Sequence, residues 1–109
     1  SGNDRYTALA HDSLALALRE RGDAAGAIRE LRAALASYAG YIPQAAHPLA
    51  ATVRYNLAML LLKRAETRAE GLQLLREATD LREKFLDADD PQTQQARETL
   101  RKAQAAAKP

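Results

Sequence analysis

The chain contains no cysteine and no tryptophan, and it is poor in the β-branched residues that favour strands. Without cysteine, disulfide bonds and thiolate metal sites are excluded. One valine and two isoleucines stand against twenty-five alanines and seventeen leucines, a composition that favours helix over strand. The longest apolar run, Leu57 to Leu62, is far too short to span a membrane. We therefore expect a soluble, all-α protein in the reducing cytoplasm, with no membrane partner.

An excess of charge of one sign is also missing. Sixteen basic residues are nearly balanced by 14 acidic ones, and the formal net charge is +2. No glycine-rich phosphate loop and no basic stripe interleaved with aromatic residues is present. We therefore expect no nucleic-acid partner and no cofactor. At 109 residues the chain suits a single domain, and its Ser-Gly start without Met suggests an expression scar at residues 1–2 of a domain cut from a longer protein.

Hydrophobic periodicity and its punctuation predict an antiparallel helix pair in the first third of the chain. The first helix begins near Tyr6, where Asn3 or Asp4 can cap it, and ends at Gly22. Asp23 is placed to cap the second helix after a turn so short that the two helices must lie side by side. The residues expected to point inward are Leu9, Leu14, Ala15 and Leu18 of the first helix, and Ala27, Ile28, Leu31, Ala34 and Leu35 of the second.

Three further helices are expected after a connector at residues 39–46. The third begins at His47-Pro48 and runs to about Arg64, and the turn at 65–68 has an uncertain shape because it lacks glycine. A fifth helix is capped by Asp89-Asp90-Pro91 and ends in a frayed, alanine-rich tail. The fourth helix carries apolar residues at helical spacing, namely Leu72, Leu75, Ala78, Leu81 and Phe85.

Two stretches of the chain repeat one pattern. Residues 13–22 match 56–65, and residues 27–34 match 71–78, with a start-to-start spacing of 43 residues. This period is typical of helical arrays, in which each unit buries its apolar face only against its neighbours. The repeat pattern alone therefore predicts an interaction surface, independently of any candidate catalytic residue.

Small residues recur at fixed places in the repeat. Ala15 and Ala58 are small where the paired helix must cross close by. We expect the small residues of the second helices to lie against the next unit; these are Ala27, Ala34, Gly71 and Ala78. Arg101 occupies the corresponding place in the fifth helix, where it cannot allow a close crossing. The fifth helix is therefore interpreted as a polar cap or as the cut end of a third unit.

These residues resemble the tetratricopeptide repeats, in particular the longer variety of about 42 residues seen in kinesin light chains and in bacterial signalling proteins. The first helices read His11-x2-Leu14-Ala15-x2-Leu18 and Arg54-x2-Leu57-Ala58-x2-Leu61, and the second helices read Ala27-x3-Leu31-x2-Ala34 and Gly71-x3-Leu75-x2-Ala78. The resemblance implies a right-handed α-solenoid fragment. Its repeats would span residues 4–40 and 48–87, followed by an extra helix at 91–106.

The resemblance also implies a protein-protein interaction module without catalysis, part of a larger bacterial signalling or scaffold protein. A peptide would bind in the concave groove lined by the first helices, with Asn56 bonded to its backbone. A clamp for a terminal carboxylate is not expected. The groove residues carried over are Leu9, Asp12, Ser13, Leu16, Thr52, Tyr55, Asn56, Met59, Lys63, Gln95, Glu98, Thr99 and Lys102. The alternative is structural: a homodimer or the packing of further repeats, with no peptide ligand.

Residue combinations that suggest chemistry are better explained by structure. The consecutive residues His11, Asp12 and Ser13 have the residue types of a hydrolase triad. Consecutive side chains on a helix point about 100 degrees apart, so these three cannot converge on one another. The acidic run at residues 87–90 lacks the glycine and terminal glutamate of a calcium loop and is expected to cap a helix. His47 is expected to start a helix. No catalytic or metal site is therefore predicted. For Tyr41 and Ile42, folding back onto the helices and contacting a partner are equally favoured.

Overall fold

The computed structural model describes residues 5–39 and 48–107, and within these ranges it contains five α-helices and no strand. The all-α class is thus confirmed. The expected caps at Asn3 and Asp4 lie outside the described residues, as do residues 1–2 and the connector with Tyr41, Ile42 and His47. None of the described helices combines the length and the apolar character that crossing a membrane requires. The helices are α1 (Arg5–Glu20), α2 (Ala24–Ala39), α3 (Pro48–Leu61), α4 (Arg68–Phe85) and α5 (Pro91–Ala107).

The turn between α1 and α2 has the predicted construction. Gly22 adopts a φ of +85°, in the left-handed region that suits glycine. Its N–H donates to the carbonyl of Arg19 at 3.0 Å, and the N–H of Asp23 donates to the carbonyl of Leu18 at 2.9 Å, which closes the last turn of α1. The Asp23 carboxylate then accepts the N–H of Gly26 at 2.8 Å and caps α2.

The turn between α3 and α4 differs from the prediction. The helix ends at Leu61, three residues before Arg64, and a short 3₁₀ helix at Ala65–Thr67 precedes α4. The Thr67 hydroxyl donates to the Leu61 carbonyl at 2.6 Å. This helix-end carbonyl also accepts the backbone N–H of Arg64 at 3.4 Å, so a side chain and the backbone satisfy it together in a turn without glycine.

The start of α5 is capped as predicted. The Asp90 carboxylate accepts the N–H of Gln92 at 2.8 Å, and Pro91 occupies the first helical position, where a missing N–H costs nothing. The alanine-rich end of the chain remains helical as far as Ala107. The fifth helix is therefore a full-length helix of 17 residues.

Each helix packs against the one before it in the chain, so the five helices form a row. The described part extends 45 × 33 × 20 Å. Two apolar clusters hold the row together, and α3 contributes to both. The first cluster is formed by Ala8, Ala15, Ala27, Leu31, Ala34, Val53, Leu57, Leu60 and Leu61. The second is formed by Tyr55, Ala58, Leu75, Ala78 and Ala96.

The small residues lie at close helix contacts. Ala15 and Ala58 are buried, as predicted. A Cβ added to Gly71 would lie 3.0 Å from the Leu62 nitrogen and 3.1 Å from the Leu61 Cβ. Gly71 therefore approaches α3 of its own unit, whereas the sequence pattern assigned it to the next unit. Arg101 is exposed, as expected for a helix without a close partner at that position.

Two apolar residues expected to point inward are exposed. Leu14 is 49% exposed, whereas its repeat counterpart Leu57 is 1% exposed. The difference arises because α2 packs against α3, whereas no helix of the described part occupies the equivalent place beside α1. Phe85 is 44% exposed, because Thr79 and Arg82 take the buried positions at that end of α4.

We expect Gly71→Ala to lower the free energy of unfolding by about 1–2 kcal/mol, measured by urea denaturation, because the added methyl group overpacks the contact with α3. The sign of this change in the free energy of unfolding is informative, because Ala normally stabilises a helix interior by about 1 kcal/mol relative to Gly.

Gly26→Ala is the matched control for this substitution. The three atoms nearest to its added Cβ all belong to the Asp23 side chain, which can rotate away. The cost is then limited to a weakened cap of about 1 kcal/mol, which the helix propensity of Ala offsets. Equal effects of the two substitutions would contradict a tight α3–α4 crossing at Gly71.

Candidate functional site

The residues predicted to line a groove lie on α1, α3 and α5, apart from Lys63, which follows the end of α3, and we call this set the α1/α3/α5 face. Its half-buried members are Leu9, Asp12, Leu16, Thr52, Asn56, Met59 and Thr99, and its exposed members are Ser13, Lys63, Gln95, Glu98 and Lys102. Tyr55, the remaining member, is buried.

Two side-chain contacts join the three helices of this face. Asp12 on α1 is hydrogen-bonded to Asn56 on α3, and Tyr55 on α3 is hydrogen-bonded to Thr99 on α5 at 2.9 Å between the two hydroxyl oxygens. The two contacts use equivalent repeat positions, since residues 12 and 55 differ by the repeat spacing, as do residues 56 and 99. The structure thus brings these predicted residues together in pairs.

The Asp12 carboxylate is the most unusual group on the face. Burial raises its pKa, while the hydrogen bond from Asn56 and the positive charge of Arg19 act in the opposite direction. Its Oδ1 atom is buried without a hydrogen-bond partner. An unsatisfied buried acceptor costs about 1–3 kcal/mol, so this position favours a donor, either a proton or an N–H group.

Asn56 has a role that sequence reasoning did not assign. Its side chain was predicted to bond a ligand backbone, and the structure places it in a hydrogen bond with the Asp12 carboxylate. A primary amide has two N–H donors and one carbonyl acceptor, so one such bond does not exhaust it. Asn56 therefore links α1 to α3 and retains hydrogen-bonding capacity.

Tyr55 corrects the predicted groove. It is only 9% exposed and belongs to the second apolar cluster, so it cannot serve as an open contact for a ligand. The guanidinium of Arg82 lies 4.7 Å from the centroid of its ring, and Arg82 Nη1 donates to the Gln92 carbonyl at 3.2 Å. Tyr55 and Arg82 together fasten α5 to α3 and α4.

Arg82 was missed by the sequence analysis. Burial lowers its pKa, while Tyr55 and Asp90 act in the opposite direction. A charged residue is normally expected to face solvent. Arg82, however, lies seven residues after Leu75 and three residues after Thr79, which is the spacing of residues on one buried helix face. That spacing was the available signal.

The α5 side of the face is charged and open. Arg101 donates to Glu98 at 2.6 Å, and the Lys102 ammonium lies 3.8 Å from the same carboxylate. The hydrogen bond from Arg101 holds the pKa of Glu98 below its usual value. Because these groups are exposed, their ion pairs contribute little to stability.

His11, Asp12 and Ser13, the three consecutive residues that resemble a hydrolase triad, do not share a common partner. The His11 Nδ1 atom lies 2.8 Å from Glu30 on α2, while Asp12 bonds to Asn56 on α3. Ser13 is exposed. Among the described residues, no group of three His, Cys, Asp or Glu side chains is arranged to hold a metal ion.

A separate surface cavity of about 310 Å³ lies between α3 and α4. Arg54, Glu77, Asp80 and Leu81 line it, and Arg54 Nε lies 3.4 Å from Glu77 Oε1. No residue of the α1/α3/α5 face contributes to its lining, and no motif in the sequence indicated it.

We expect the contribution of Asp12 to stability to fall as the pH rises. Between the ordinary carboxyl pKa of 3.8 and the raised folded value, the folded protein binds more protons than the unfolded chain at this group. The stability of Asp12→Asn relative to wild type should therefore increase through that window. Urea unfolding at about pH 3.5 and about pH 7 measures this difference.

Glu20→Gln is the control for the change in net charge, because Glu20 is exposed on the same helix. A relative stability of Asp12→Asn that stays level, or that falls between the two pH values, would contradict a desolvated carboxylate at residue 12.

Comparison with known proteins adds no assignment to this geometry. No protein-family model matches the chain, and no curated protein and no solved structure matches it significantly.

Proposed function

We propose that this chain is a protein-protein interaction module and that its α1/α3/α5 face binds a peptide segment of a partner protein. The observation that carries the proposal is the Asp12 carboxylate, held against Asn56 with one oxygen that accepts no hydrogen bond. A peptide backbone offers an N–H donor at every residue except proline. The residue as a whole is half-buried, so part of the Asp12 side chain is open to a ligand on the face.

The chemistry around Asp12 suits an extended peptide. An N–H donated to Asp12 satisfies an acceptor that is otherwise costly to bury, and Asn56 can both donate to and accept from a peptide unit. Half-buried Leu16 and Met59 supply apolar contact nearby on α1 and α3. Lys63 and Lys102 give the face a charged, solvated edge, as at the rims of protein interfaces.

The resemblance to tetratricopeptide repeats supports the same proposal. It adds a solenoid architecture and a place in a larger cytoplasmic signalling or regulatory protein of bacterial type. The face spans only three helices, so the affinity is modest. A dissociation constant of about 1 µM, equivalent to about 8 kcal/mol, is expected for the isolated domain.

Selection of random peptides displayed on phage, followed by calorimetric titration of the selected peptides, tests this function. We expect Asp12→Ala and Asn56→Ala each to weaken binding about tenfold, since each removes a hydrogen bond to the peptide worth about 1.4 kcal/mol. Circular dichroism establishes that both variants remain helical.

Asp80→Ala is the matched control, because Asp80 is an exposed carboxylate that lines the separate α3–α4 cavity. It should leave the affinity unchanged. Failure to select any peptide, or an equal loss of affinity in Asp80→Ala, would contradict binding on the α1/α3/α5 face.

A further inference from the structure

One side of α1 carries a stripe of exposed apolar residues. Tyr6 is 77% exposed and Leu14 is 49% exposed, and Ala10 and Ala17 are exposed between and beyond them. Arg21 follows at the end of the stripe. Intervals of four, four and three residues keep Tyr6, Ala10, Leu14 and Ala17 on one side of α1, and Arg21 follows directly after the last residue of the helix. We call these five residues the α1 stripe.

The α1 stripe does not overlap the proposed peptide site. At about 100 degrees per residue, Asp12 lies about 160 degrees and Leu16 about 120 degrees from the middle of the stripe. Ala8 and Ala15 point into the first apolar cluster. The helix therefore has three distinct sides: one against α2, one toward the α1/α3/α5 face and one without a neighbour in the described part.

The internal repeat shows what such a side is built to contact. Leu14 corresponds to Leu57, which is buried in the first cluster together with Leu31 and Ala34 of α2. The residue before it, Ser13, corresponds to Asn56, which bonds to Asp12 on the preceding first helix. The equivalent side of α3 is thus a helix-packing surface, and the α1 stripe occupies the same place on α1.

The described part of the chain offers one surface that matches the α1 stripe in a second copy. The faces of α2 and α4 that could dock there are already covered by α3 and α5. The outer side of α5 is polar, with Arg101 and Lys102 exposed. Among the residues whose exposure the structure describes, the remaining exposed large apolar side chain is Phe85, which stands alone on α4. Of the described surfaces, this leaves the α1 stripe of the second copy.

We propose that the α1 stripe is a homodimer interface in which α1 packs antiparallel to α1 of a second copy about a two-fold axis. The order of its residues is self-complementary. When Leu14 meets Leu14 of the second copy, Ala10 faces Ala17 and Tyr6 faces Arg21 across the axis. The alanines allow the two helices to approach closely, and each end gains a cation–π contact between arginine and tyrosine. Both copies use the same patch, as a closed two-fold dimer requires.

Sedimentation equilibrium over a roughly hundredfold concentration range tests the dimer by mass action. The mass of the wild type should rise from the 11.9 kDa of one chain toward twice that value. Leu14→Glu places two like charges at the axis, and we expect it to weaken dimerisation at least tenfold. Phe85→Glu, which alters an apolar residue of similar exposure on α4, should dimerise like the wild type.

Cysteine cross-linking gives an independent readout, because the chain has no native cysteine. Under mild oxidation Leu14→Cys should form a covalent dimer, and Phe85→Cys should not. A wild type that is monomeric at every concentration, or a dimer unaffected by Leu14→Glu, would overturn the proposal. A monomer would leave the α1 stripe to a helix of a different protein. Leu14→Glu should retain the peptide affinity of wild type, so failure of the dimer and failure of the proposed function are distinguishable.

Discussion

The close approach of neighbouring helices at alanine and glycine is the constraint on which the rest of the structure depends. Gly71 lies so near the backbone of α3 that a single methyl group would press on Leu62. Ala15 and Ala58 are buried at the corresponding place of the two first helices. Within each unit the two helices therefore lie close together, and between units the side chains of Asp12 and Asn56 join α1 to α3.

The same repeat geometry produces two contacts of different character. Between α3 and α5, Tyr55 is buried, bonded to Thr99 and stacked under Arg82, while Arg82 Nε and the Thr93 hydroxyl are buried without a hydrogen-bond partner. Between α1 and α3, the equivalent positions hold Asp12 and Asn56, and a carboxylate oxygen is buried without a partner. The α1–α3 contact is half-buried, whereas Arg82 and Thr93 are almost fully buried. The α1–α3 half of the face is therefore the more accessible one.

Local sequence features predicted the helices well. The glycine and aspartate after α1 and the aspartate before α5 determine helix ends through bonds within a few residues, and all three have the expected partners. Features that depend on distant neighbours were missed. The Leu61 carbonyl at the end of α3 accepts a bond from the Thr67 hydroxyl beyond the turn, and the exposure of Leu14 depends on which helix lies beside α1. Helical spacing shows that residues share a side, but not what covers that side, which is why Tyr55 was placed in the groove.

Mapping the bound peptide by nuclear magnetic resonance tests the central claim most directly, because it locates the ligand without altering the protein. Titration of a selected peptide into the labelled domain should shift the amide signals of Asp12, Ser13, Asn56 and Met59, with the side-chain amide of Asn56 among the largest changes. Shifts centred instead on Arg54, Glu77 and Asp80 would place the ligand in the α3–α4 cavity and contradict peptide binding on the α1/α3/α5 face.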